Sequence, residues 1–299
     1  EKQIDYNSRY CLVASADNSF NYFALDPHDG LILSMLNSYY NLLCSGAKAI
    51  SYATNVNKYI NEEKSEINFF QISEFEKAKS FLESFLGLQQ AAAEDKKLIS
   101  QNEYITACFG VKDKIGPNNL SRKANDGDYI VIFGETEPEF DGSTWAELKI
   151  EKKANRGKKF LLGGLPPALR EFEILKISEL IKSVLLYNKS VNAFSVGAGG
   201  LASALWKIAE LSNAELKIDL SSLFENRMSY FDILLSESSN RFLATMNKES
   251  LQDLHIISRG SGVKYTIIGR VNESKKAQIE INGLGTINNI DKSKNVTKK

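Results

Sequence analysis

The residues whose types and spacing best suit chemistry lie in one short turn, Phe194-Ser195-Val196-Gly197-Ala198-Gly199-Gly200-Leu201-Ala202. A glycine-rich turn between a strand and a helix exposes helix N-terminal amides, the usual way to hold a phosphate. The same stretch reads as Gly197-x-Gly199-x-x-Ala202, with Asp219 twenty residues past Gly199, and so imitates a dinucleotide fingerprint. That reading makes the chain an NAD-binding oxidoreductase. A third reading is a glycine turn that only lets helix and sheet pack. The turn by itself leaves all three open.

Other candidate groups are scattered. Gly134-Glu135-Thr136 follows an apolar run, where Glu135 either faces a nucleotide or caps a helix. Glu237 and Arg241 stand four apart and read as an ion pair that shapes the fold. His28, in Asp26-Pro27-His28-Asp29, titrates near neutrality, yet a lone turn histidine reads as solvated. His255 reads as surface, and Trp145 and Trp206 as core.

These groups must be positioned by strands and helices. Tyr10–Ser15 and Phe20–Leu25 read as strands joined by an Asp17-Asn18 turn. Leu31, Met35, Leu42 and Leu43 recur at helical spacing, Ala49–Thr54 reads as a strand, and Ile72 to Phe85 as a helix with Ser73 and Glu76 as capping pair. Ile105–Val111 closes this part. Pro117 and the Asn118-Asn119 pair then mark a boundary. Beyond it come the strand Tyr129–Phe133, the helix Ile174–Tyr187, the strand Val191–Val196 and the helix Leu201–Leu211, running into Leu216–Ile218. Phe231–Leu235, Phe242–Met246, Lys264–Ile268 and Ala277–Ile281 read as further strands. The expected fold is α+β, with an N-terminal α+β domain over residues 1–118 and an α/β domain over 119–299 ending in a lysine-rich tail.

Composition narrows the class. With 37 basic and 37 acidic residues in 299, the chain has no net charge to release counterions, so nucleic acid is not an expected partner. A 43% apolar and 25% charged composition supports a globular core. No stretch approaches a membrane span, no signal segment is visible, and three scattered cysteines fit a reducing cytoplasm. The absent initiator methionine suggests a piece of a longer chain.

Taken together, Leu25-Asp26-Pro27-x-x-Gly30, Asn41 before Gly46-Ala47-Lys48, the Gly134-Glu135-Thr136 turn, the glycine pair Gly199-Gly200 and Ser236-Glu237-Ser238-x-x-Arg241-Phe242-Leu243 follow one order along nearly the whole chain. In that order and spacing they resemble phosphoribosylformylglycinamidine synthase, in the second of its two homologous halves. Those halves share a fold with aminoimidazole ribonucleotide synthetase and selenophosphate synthetase. The resemblance implies an ATP- and magnesium-dependent carbon-nitrogen ligase in purine biosynthesis. There ATP phosphorylates the amide oxygen of formylglycinamide ribonucleotide and ammonia then displaces phosphate.

Carried over position by position, the resemblance also implies loss. The family's glutamate four residues before Asn41 is Asn37 here, and its Asp-x-Ser-Asp-Gly-Gly becomes Ser195, Val196, Gly197, Ala198, Gly199 and Gly200. Its Gly-Gly-Ser becomes Asp141-Gly142-Ser143, and a Gly-Asn-x-Ser-x-x-Asn loop is replaced by Gln89–Glu94. The half is thus expected to be degenerate, with no catalytic or metal-ligating residues and at most a nucleotide or phosphate contact from Asn41, Glu135, Thr136, Gly199 and Gly200. Implied partners are the first half of the same enzyme or a second copy, and a glutaminase domain or subunit that supplies ammonia.

Overall fold

The computed structural model describes residues 9–58, 65–97, 103–113, 123–154, 163–187, 190–224 and 228–288. The Pro117 boundary and the lysine-rich tail lie outside them. The strands form two sheets. The first takes β1 (Tyr10–Asp17), β2 (Lys48–Lys58), β3 (Gln89–Lys97) and β4 (Glu103–Asp113) in the order β1-β4-β2-β3. On it lies α2 (Pro27–Cys44), with α1 (Phe20–Leu25) and α3 (Ser65–Leu86) packed against α2.

The second sheet has the order β11-β10-β7-β9-β5-β8-β6. Its strands are β5 (Tyr129–Phe133), β6 (Val191–Ser195), β7 (Ala214–Ile218), β8 (Phe242–Met246), β9 (Tyr265–Glu273), β10 (Gln278–Ile281) and β11 (Gly285–Asn288). Around it are α4 (Thr144–Ala154), α5 (Glu171–Tyr187), α6 (Gly200–Ser212), α7 (Tyr230–Leu235) and α8 (Lys248–Ser261). Every pairing is antiparallel except β10 with β7.

The helix α2 joins the two layers. Asp26 caps it by accepting the His28 and Asp29 amides, and Pro27 fits the first helical position, where no amide is needed. Thirteen of its 18 residues are buried. The reason is that it packs on β1, β2 and β4 with one side and on β6 and α5 with the other. One core therefore runs from Tyr52 and Cys108 through Leu31, Met35 and Leu42 to Val131, Phe133 and Phe242. Ile130 and Ile132 point to the opposite face, into a second core with Phe194, Leu205 and Ile208 under α6. A strand buried on both faces reads as an unbroken apolar run, which is why YIVIF is legible.

Several sequence expectations are corrected. Residues 20–25 form α1, not a strand, because Tyr22 and Phe23 pack down beside α2, where Gly30 admits the α1 backbone. A Cβ on Gly30 would come within 2.3 Å of the Phe23 nitrogen. Residues 230–235 form α7, not a strand, started by a Ser229–Asp232 capping box. Ser73 and Glu76 lie inside α3, so they cap nothing. Gln89–Glu94 belongs to β3, paired in parallel with β2. His28 sits in the first turn of α2 rather than in a free turn. Among the described residues no helix is long and apolar enough to cross a membrane.

Candidate functional site

The glycine turn closes β6 and opens α6 directly against the middle of α2. Ser195 donates its hydroxyl to Asn41 Oδ1 at 2.7 Å, and Tyr40 donates to Asn240 Oδ1 at 2.6 Å. Gly197 faces Asn37, whose Oδ1 would stand 3.1 Å from a Cβ at that position. Asn37, Asn41, Ser195 and the turn thus share one seam. The crevice there, bordered by Tyr22, Leu36, Asn37, Gly197, Glu237 and Asn240, holds about 10 Å³. That is room for one water molecule at most.

The amides of the glycine pair are taken. Gly199 donates to Glu237 Oε1 at 2.7 Å, and Gly200 donates to the Gly197 carbonyl at 2.9 Å. Both glycines hold positive φ, +78° and +64°. A Cβ on Gly200 would lie 2.5 Å from the Ser236 carbonyl oxygen, so glycine is needed there for close packing as well as for φ.

Glu237 is the residue that the sequence reading set aside. It is 7% exposed, and its carboxylate takes the Gly199 amide, the Thr144 amide at 2.8 Å and the Tyr22 hydroxyl. Instead of an ion pair with Glu237, Arg241 donates to the carbonyls of Ser236 and Ser238 and, at 3.0 Å, to Thr136 Oγ1. Burial pushes the Arg241 guanidinium down to about 10, while the nearby charges of Glu139 and Glu237 oppose that fall. Arg241 therefore ties the Gly134-Glu135-Thr136 turn to the Ser236–Ser238 loop. Nothing in the sequence near Glu237 signals its partners, since Tyr22, Thr144 and Gly199 come from three distant segments.

The remaining candidates separate. Thr136 is engaged by Arg241, whereas Glu135 is exposed and lines a different hollow of about 210 Å³ with Glu173, Lys176 and Lys264. Glu135 caps no helix. Asp219 directly follows β7, which β9, β5 and β8 separate from β6. A dinucleotide site needs the glycine strand and the acid strand side by side at a switch point. The sheet order therefore overturns the oxidoreductase reading. Asp26, His28 and Asp29 cluster, but Asp26 is spent capping α2. Trp145 is half-buried against Phe140 and Phe231, and Trp206 packs on the second core. His255 meets the Tyr265 hydroxyl at 2.6 Å.

Magnesium with a nucleotide needs carboxylates and free oxygen or amide donors. Across the seam Asn37, Asn41 and Ser195 are neutral, the Gly199 and Gly200 amides are engaged, and the two carboxylates nearby are taken, Glu237 by the Gly199 and Thr144 amides and Asp17 by the Ser19 and Ser34 hydroxyls and, at 3.5 Å, the Asn37 amide. The residues present do not fit that group at this turn.

Residues 125–282 match the family described as "AIR synthase related protein, C-terminal domain". The chain belongs to that family. It is 25% identical to the phosphoribosylformylglycinamidine synthase subunit PurL of Corynebacterium aurimucosum, over 94% of this chain and 36% of that protein. The chain thus spans about a third of the length of the curated relatives it matches. In fold it is similar to T. maritima PurL complexed with FGAR, with a TM-score of 0.73 at 18% identity over 91% of this chain and 43% of that one. T. maritima PurL complexed with ATP gives a TM-score of 0.69 at 17% identity, over 91% and 42%.

Proposed function

We propose that this chain is the second homologous half of a phosphoribosylformylglycinamidine synthase, a cytoplasmic ATP-dependent ligase of purine biosynthesis, and that its own role there is structural. The observation that carries the structural role is the seam between α2 and the glycine turn. Where magnesium chemistry needs charge, Asn37 and Ser195 are neutral, and Glu237 is consumed by backbone amides. Reaction would fall to the first half, which uses ATP and magnesium, with ammonia supplied by a glutaminase domain or subunit.

The described residues supply shape instead. Asn41 and Ser195 lock α2 to β6, and Tyr40 locks it to the loop at Asn240. The outer face of the first sheet presents Tyr10, Leu12 and Ile105, each more than half exposed. An apolar sheet face of this kind fits a partner sheet, in the first half or in a second copy. Co-expression with the first half tests the reading. Reconstituted amidation should tolerate Asn41→Ala and Ser195→Ala with kcat within about threefold, as expected for groups that touch no reacting atom. A loss of about a hundredfold or more in kcat at unchanged stability would overturn it.

The alternative is a module that keeps a structural nucleotide on the Gly199 and Gly200 amides. Against it stands the engagement of both amides, Gly199 by Glu237 and Gly200 by the Gly197 carbonyl.

A further inference from the structure

Three polar hydrogens from three separate elements converge on one carboxylate. The Gly199 amide opens α6, the Thr144 amide opens α4, and the Tyr22 hydroxyl comes from α1, which packs on α2. First-turn amides have no partner within their own helix, and both helices aim their positive ends at the same point. The site is thus built for an anion. Glu237 fills it at 7% exposure, and fully buried Arg241 adds positive charge nearby. A carboxylate so buried persists only when its oxygens are satisfied, and here both oxygens are.

We propose that Glu237 is an internal anion that takes the place a glycine turn otherwise offers to a phosphate, and that it clamps α1 to α4 and α6. The inference rests on the structural reading above only in taking the turn as the matched phosphate position. It gives the Gly199 amide an anionic partner where Asn37 and Ser195 bring no charge to the seam. It also gives a consequence that simple packing does not. An external anion and the Glu237 carboxylate compete for the same three donors, so the chain binds one only when the other is gone. Loss of the carboxylate also releases Tyr22, and with it the hold of α1 on the second sheet's helices.

The test compares the intact chain with Glu237→Ala in chloride, formate and inorganic phosphate at matched ionic strength, read by thermal unfolding. The variant should melt lower than the intact chain in chloride and recover in a saturable way with formate and phosphate. The intact chain should show no such recovery. An equal anion response in both proteins, or none in a folded variant, overturns the proposal.

If Glu237→Ala does not fold, Glu237→Gln keeps the side-chain volume and gives a second readout. Amide hydrogen exchange at Gly199 and Thr144 should accelerate together by about tenfold or more, as the charge-assisted bonds become neutral ones, while Ile130 in β5 stays protected. Unchanged protection at either amide overturns the clamp. Neither readout involves ATP or the first half, so a failure here leaves the ligase reading standing. A failed reconstitution, conversely, does not touch the anion competition.

Discussion

Single residues here show how burial decides chemistry. Cys108 faces α2 from β4 with no exposed surface, and burial pushes its thiol from an ordinary 9.0 up to about 12. The folded thiol keeps its proton up to about pH 12, whereas the unfolded one releases it near 9.0. Between those values the unfolded state binds fewer protons, so stability falls as pH rises, by at most about 1.4 kcal/mol per unit from this group. Buried Tyr40 and Tyr52 are also raised, but from 10.0, so the interval from pH 9 to 10 belongs mainly to the thiol. Urea midpoints across that interval should fall less in Cys108→Ala than in the parent chain, by the equivalent of about 1 kcal/mol. Parallel slopes would show that Cys108 is not protected in this way. At this scale the glycine turn was legible as a motif, whereas the bond from Ser195 to Asn41 was not, since the two stand 154 residues apart. Glu237 was not, since its function depends on amides contributed by α4 and α6.

At the scale of elements, legibility followed length and periodicity. The helices α2, α5 and α6 carry sustained apolar periodicity, and their approximate positions follow from it. The six-residue helices α1 and α7 were misread because FNYFAL and YFDILL are too short to show a helical period and are rich in strand-type residues. Close approach at Gly30 and the Ser229 capping box decide them instead. The first sheet is legible on both faces once its register is known. Leu12 pairs with Val111 and Ala14 with Phe109, so an apolar outer face alternates with the inward Cys108 and Thr106. Replacing Leu12 and Ile105, 75% and 51% exposed, by lysine should leave the fold intact, since neither side chain is buried in it. The double change should abolish self-association, or pairing with the first half, in sedimentation at tens of micromolar. Unchanged association would move the interface elsewhere on the molecule.

At the scale of the whole molecule, the chain has two sheets and two cores, and the larger core is shared by both sheets. The strands β1 to β4 make one sheet and β5 to β11 the other, so the chain order divides the strands. It does not divide the packing. Leu31, Ile32 and Met35 of α2 are fully buried in a core that also contains Tyr52 of the first sheet and Val131, Phe133 and Phe242 of the second. Opening one side would strip α2 of half its cover and leave the Asn41–Ser195 and Tyr40–Asn240 bonds unmade. Such coupling predicts a single calorimetric transition for the chain, with van't Hoff and calorimetric enthalpies in agreement. Met35→Ala removes contacts from the shared core and should lower stability by roughly 2 to 5 kcal/mol. Because the loss is felt by both sheets, the whole transition should move down together. A variant trace that splits, with one component holding the parent melting temperature, would show that the second sheet folds without α2 and that the seam is a docking contact rather than part of one core.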